Sequence, residues 1–191
     1  MLAPFGSWKS PITADLIVAD TIRLNSIVWD DEAIYWLESR PAEAGRNVLV
    51  RRTSSGENTD ITPPPFNVRT CVHEYGGGAF LVADGTVYFV NFSDQRLYRQ
   101  INGGTPQPLT PESSCRYADF NLDASRRRLI SVIEDHSDPQ QEPVNAIASI
   151  DLETGEQTIL VSGGDFYSSP HLSPDGGQLA WLSWNHPNMP W

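Results

Sequence analysis

The sequence carries a single lysine, Lys9, and two cysteines in 191 residues, and its 13 Lys and Arg face 24 Asp and Glu for a formal net charge of −11. So few cations argue against nucleic acid or an anionic membrane surface as the main partner, because both recruit basic patches through their own negative charge. Cys71 and Cys115 are too few for a disulfide framework and lack Cys-x-x-Cys spacing, so both are expected as small apolar core residues. The longest apolar runs, Ala79–Ala83 and Val87–Val90, fall far short of the ~20 residues that span a bilayer. The amino terminus lacks the basic stretch followed by an apolar one that marks a secretory signal, which makes a cytoplasmic location the expectation.

Catalytic signatures are also missing. No two glycines stand four apart, which removes the Gly-x-Ser-x-Gly elbow of α/β-hydrolases. The lone lysine follows no glycine-rich loop, and Gly76-Gly77-Gly78 has Leu at position 81, so neither a P-loop nor a dinucleotide fingerprint is present. His73, His136, His171 and His186 are not spaced for metal ligation. No cofactor or metal is expected, and no catalytic residue can be assigned.

What the chain does have is six Trp, six Tyr and seven Phe, ample material for a packed core. Apart from 10–15, where Ser10 can cap and Pro11 can open a short helical turn, no helical period is sustained. Short runs of Val, Ile, Trp, Tyr and Phe alternate with Gly, Pro, Asn and Asp clusters, which predicts an all-β chain. Four segments repeat one plan, a short strand, a turn and a stronger apolar strand. The strong strands begin at Ile34, Val87, Leu129 and Leu179, separated by 53, 42 and 50 residues. In the first three, a third strand, a turn (Ser55-Gly56, Gly103-Gly104, Thr154-Gly155) and a fourth strand follow. Four strands at a period near 50 make a β-propeller of four-stranded antiparallel blades, with about three and a half blades present. A β-sandwich would also give short alternating strands but offers no reason for serial repetition. Residues 1–25 are expected to form an N-terminal segment and 26–191 the partial propeller.

Leu172-Ser173-Pro174-Asp175-Gly176-Gly177-Gln178-Leu179 resembles the Ser-Pro-Asp-Gly turn of TolB-like and prolyl-oligopeptidase-type propellers, in which Pro fixes φ, Asp caps the turn and Gly takes φ > 0. Gly6–Ile12, Arg40–Asn47, Val72-His73-Glu74-Tyr75-Gly76-Gly77-Gly78-Ala79-Phe80, Glu134-Asp135-His136 and Trp184–Trp191 together resemble the N-terminal propeller of bacterial prolyl-oligopeptidase-family serine peptidases, of the dipeptidyl aminopeptidase or acylaminoacyl peptidase type. The resemblance spans essentially the whole chain. It implies a parent protein in which the propeller gates and helps bind small peptides for a C-terminal α/β-hydrolase domain carrying Ser, Asp and His, none of which can be carried over here. The expected partners are that domain and a peptide substrate. The alternative is a free-standing TolB-like propeller serving as a protein-interaction scaffold.

Strands alternate direction, so loops entering first strands and loops joining second to third strands open on one face. That places Arg40, Glu43, Arg46, Arg69, His73, Glu74, Tyr75, Asp135, His136 and His186 toward one rim. Arg69, His73, Glu74, Tyr75, Asp135, His136 and His186 are the candidate substrate-binding or domain-contact residues. Two readings stand: the rim meets substrate or hydrolase domain, with Glu74 and its neighbours holding the substrate's charged end, or these polar groups tie loops to backbone.

Overall fold

The computed structural model describes residues 4, 6, 7, 9–18 and 21–189. Trp8 and the terminal Pro190-Trp191 of the resembling motifs lie outside the described residues. The first blade comprises β1 (Arg23–Asp30), β2 (Ala33–Arg40), β3 (Arg46–Arg52) and β4 (Asn58–Asp60), hydrogen-bonded in that order. The second comprises β5 (Phe80–Ala83), β6 (Thr86–Val90), β7 (Leu97–Ile101) and β8 (Gln107–Pro108). The third has β9 (Cys115–Asp123), β10 (Arg128–Asp135), β11 (Val144–Asp151) and β12 (Gln157–Ser162). A two-stranded sheet, β13 (Phe166–Leu172) with β14 (Leu179–Trp184), follows. Every pairing between these strands is antiparallel, and the four sheets do not close into a ring. The all-β class and the three and a half blades match the expectation from sequence.

The one α-helix among the described residues, α1 (Ala14–Val18), starts later than Ser10 and Pro11 suggest. Its cap is Thr13, whose Oγ1 accepts the Leu16 N–H at 3.1 Å, while Ser10 Oγ accepts from Ile12 N–H two residues on and so closes a local turn instead.

Neighbouring blades share cores because their middle strands are apolar on both faces. In β6, Val87 and Phe89 join Tyr35, Leu37 and Leu49 of the first blade, whereas Tyr88 and Val90 join Tyr117, Leu129 and Ile133 of the third. In β10, Ile130 and Val132 turn the other way and meet Tyr167 of β13. Phe89 is fully buried, a burial that stabilises by up to ~3 kcal/mol. The polar edges repeat as well: Leu49 N–H donates to Thr62 Oγ1 at 2.9 Å and Leu97 N–H to Thr110 Oγ1 at 3.1 Å, each across 13 residues.

Cys71 and Cys115 depart from expectation in being half-buried, without a disulfide. Cys115 packs at the edge of the core between the second and third blades, and burial pushes its thiol pKa up. Cys71 instead sits on a loop with its N–H on Gln95 Oε1 and its carbonyl on Arg116, so backbone hydrogen bonding rather than packing places it.

Candidate functional site

On one rim, the loop before β5, the β10–β11 loop, the β12–β13 turn and the residues after β14 enclose a cleft of about 490 Å³. His73, Glu74, Glu134, Glu142, Asn145, Asp165, Phe166 and His186 line it.

The 71–76 loop is held in an unusual shape. His73 (φ 54°) and Glu74 (φ 65°) are both left-handed, a region costly for side chains with a Cβ, and Gly76 follows at φ 92°. Their hydrogen bonds over-determine the turn: Glu74 N–H donates to Cys71 O, Gly76 N–H to Val72 O, and His73 N–H to Glu134 Oε1 at 3.0 Å. Glu134 is the buried anchor. Its Oε2 accepts from Arg116 Nη1 at 3.4 Å and is hydrogen-bonded to His136 Nε2 at 2.8 Å. Arg116 also donates to Glu74 Oε1 at 2.6 Å, and that guanidinium holds the exposed Glu74 carboxyl below its ordinary pKa.

The other wall is aromatic. Phe166 stacks on Trp184 at 5.5 Å, while His73 and His186 meet Phe166 edge-on at 5.2 and 4.9 Å. Burial among these rings pushes the His73 pKa down, opposed by the charge of Glu134. Two polar atoms here are buried and make no well-formed hydrogen bond, His73 Nε2 and Asn145 Oδ1, although Asn145 lies close enough to the His73 ring to favour its protonated form. Asn145 is 94% buried, and its Nδ2 is already committed to Asp165 O at 2.8 Å. Four carboxylates against the single guanidinium of Arg116, beside aromatic faces, form a surface suited to an organic cation.

Of the residues singled out from sequence, His73, Glu74 and His186 line this cleft, and His136 reaches it through Glu134. Tyr75 lies beside His73, ring centres 5.7 Å apart, with its hydroxyl pKa raised by burial. Asp135 is not among the residues lining the cleft, and its Oδ1 accepts from Ser137 N–H. Arg69 stands apart, its guanidinium 4.9 Å from the centre of the Phe92 ring. Arg40, Glu43 and Arg46 form a separate fastening: Arg40 pairs with Glu38, Glu43 and Asp60, and Arg46 with Glu43 and the carbonyls of Thr62 and Phe66. Glu134, Glu142, Asn145, Asp165 and Phe166 complete the cleft without having been singled out. Glu134 was within reach of sequence reasoning, since it opens the Glu134-Asp135-His136 triplet. The alternation of strand direction puts the 134–145 and 165–168 segments on this rim, but no sequence signal distinguishes Glu142, Asn145 or Asp165 within them. Among the described residues, no group of three or more His, Cys, Asp or Glu could hold a metal ion.

A propeller with one rim built into an acidic, aromatic-walled cleft is the class that this fold and site define. Among solved structures, a Mycobacterium tuberculosis puromycin-hydrolyzing peptidase matches at 38% identity and TM-score 0.87, over 99% of this chain and 32% of that one. A puromycin hydrolase matches at 35% identity and TM-score 0.87 over the same shares, and a mutant of puromycin hydrolase complexed with PGG at 34% and 0.88. The chain has the N-terminal propeller of the prolyl-oligopeptidase family of peptidases, and it spans about a third of the length of these relatives. A putative TolB from Agrobacterium tumefaciens, 15% identical with TM-score 0.58 over 82% of this chain and 52% of that one, shares the fold alone. No protein-family model and no curated protein matches the chain. No helix among the described residues is long and apolar enough to cross a membrane.

Proposed function

We propose that the chain is the gating propeller of a cytoplasmic serine peptidase of the dipeptidyl aminopeptidase or acylaminoacyl peptidase type, paired with a C-terminal α/β-hydrolase domain, and that the rim cleft receives the positively charged amino end of a short peptide. The observation that carries this reading is the cleft itself. Glu74, Glu142 and Asp165 supply negative charge, Phe166 supplies a face for a cation, and Asn145 Oδ1 is a buried acceptor without a well-formed hydrogen bond. The relatives that match over essentially the whole chain are peptidases and hydrolases, which agrees with a peptide ligand. In this role the propeller performs no chemistry. It limits entry by the width of the rim and orients the peptide by its ammonium group, while the reacting bond is presented to the other domain.

The test is to titrate the 191-residue chain with a tripeptide and with its N-acetylated form. The free amine binds with chemical-shift changes at His73, Asn145 and Phe166, and acetylation weakens binding at least about tenfold, the factor that 1.4 kcal/mol supplies. Replacing Glu142, which makes no hydrogen bond or ion pair among the described residues, by Gln weakens binding of the free amine without moving the melting temperature. Equal binding of the two peptides overturns the reading.

A further inference from the structure

We propose that the His73 ring is a proton-operated selector of this cleft: uncharged, it forms with Asn145 a neutral floor beneath a bound ammonium, and protonated, it expels that ammonium. The inference rests on the amine-binding reading of the cleft and adds the control of that binding.

His73 lies between the carboxylates and the aromatic wall, edge-on to Phe166 at 5.2 Å and to Trp184 at 5.9 Å, with Nε2 buried and without a well-formed hydrogen bond. The backbone fixes the direction in which the side chain leaves, since its N–H is held by Glu134 and its φ is left-handed, and the rings of Tyr75, Phe166 and Trp184 pack around the imidazole. A protonated imidazole needs acceptors at both nitrogens; Nε2 makes no well-formed hydrogen bond, and the acceptor beside the ring is Asn145, the group that a bound ammonium would use as well. Burial therefore favours the neutral ring, and the lowered His73 pKa agrees.

Charges around the ring decide what a proton would do. On its own loop lie Glu74 and Tyr75. From β9 come Arg116 and Asp119, from β10 Glu134, and next to it His136. The β10–β11 loop brings Glu142, the β12–β13 turn Asp165, and the residues after β14 His186. The nearest carboxylate, Glu134, is already met by Arg116, His136 and the His73 N–H, so it is a poor partner for a further imidazolium. An imidazolium and an ammonium in one cleft would compete for the remaining carboxylates and repel each other at low dielectric. Linkage fixes the sign: a ligand that binds only when one group is unprotonated loses up to about tenfold in affinity per pH unit below that group's pKa.

The experiment follows binding of n-butylammonium, which stays charged throughout, to the 191-residue chain from pH 8 to 5, with His73→Asn as the variant because Asn tolerates left-handed backbone. Wild-type affinity is expected to fall through the titration of the His73 ring, read by NMR in the same samples. His73→Asn abolishes that fall, whereas His136→Gln and His186→Gln keep it. The ring of the ligand-free wild type titrates below an ordinary histidine, a readout that does not depend on the variant folding. Affinity that is flat with pH in wild type, or a fall that persists in His73→Asn, overturns the inference while leaving the amine cleft intact. Absence of n-butylammonium binding at every pH overturns the cleft reading, and this inference with it.

Discussion

Asp119 clasps three sheets through one side chain. Its Oδ1 accepts the Gly78 N–H at 2.7 Å, its Oδ2 accepts the Ser169 N–H at 2.9 Å, and its own N–H donates to Gly78 O at 2.9 Å. Gly78 enters the second blade, Asp119 lies in β9 of the third, and Ser169 lies in β13. Asp119→Asn keeps the shape and a residue type that accepts φ 56°, yet turns one oxygen into a donor facing an N–H. A hydrogen bond to a charged group contributes about 1.5–3 kcal/mol, and the half-exposed setting favours the lower end, so the Asn variant loses about 1.5–2 kcal/mol. Asp119→Ala loses both bonds and adds the left-handed penalty of a Cβ residue, for about 3–4 kcal/mol. Urea unfolding at constant m-value measures both, and amide exchange reports directly on Gly78 and Ser169, whose protection falls in each variant. An alanine variant within about 0.5 kcal/mol of wild type, the range of ordinary surface substitutions, with both amides still protected, would refute the clasp.

Gly155 at φ 72° has Leu109 O only 2.0 Å from where a Cβ would sit, so Gly155→Ala is expected to cost at least ~3 kcal/mol by thermal unfolding. Gly163→Ala, at φ 99° but facing open space, should cost only the conformational ~1–2 kcal/mol; equal losses in the two would show that Leu109 yields. Asp123 is buried, which raises its pKa, but hydrogen bonds from Ser125, Arg128 and Arg126 outweigh this and hold it at about 2. A depressed carboxyl stabilises above its unfolded pKa of ~3.9 and loses that contribution as pH falls toward the folded value, so stability drops between about pH 4 and 2 in wild type and less steeply in Asp123→Asn. Parallel curves would exclude it. Ile27 and Trp29 are 76% and 75% exposed on β1, and Trp181 and Leu182 lie open on β14. The 191-residue chain alone should bind an apolar dye and self-associate with rising concentration, and a monodisperse, dye-silent monomer would contradict this.

The blade plan was legible because it rests on local chemistry that recurs. Gly103, Gly155 and Gly176 take φ of 70°, 72° and 67° at the turns where sequence put them, and the Ser-Pro-Asp-Gly turn closes through Gly176 N–H on Ser173 O and Gly177 N–H on Asp175 Oδ1. The rim was legible as a set of loops but not as a set of contacts. Arg46 looks like a surface cation in the sequence, yet its guanidinium donates to backbone carbonyls 16 and 20 residues ahead. Asn145 sits at a strand end among residues buried on both faces, so no alternation distinguishes it, and only the approach of Asp165, 20 residues away, fixes its amide. Long-range pairing of this kind leaves no period in the chain.

Bulges in the first strands of three sheets change how such a strand encodes its faces. Ser26, Asp119 and Ser169 lie where β1, β9 and β13 slip register, and all three are left-handed, at φ 53°, 56° and 54°. Each inserts one residue without a partner, so odd and even positions exchange faces midway along the strand. In β9, Tyr117 on one side of the bulge and Phe120 and Leu122 on the other serve the same core, although their numbers differ in parity, while Ala118 serves the opposite one. The strand is therefore written in two reading frames joined at Asp119. Straightening the bulge with every residue kept would send either Tyr117 or the Phe120–Leu122 pair to the wrong neighbour, whereas deleting Asp119 would leave Phe120 and Leu122 two and four places after Tyr117 and all three on one face, at the cost of the hydrogen bonds that Asp119 makes to Gly78 and Ser169.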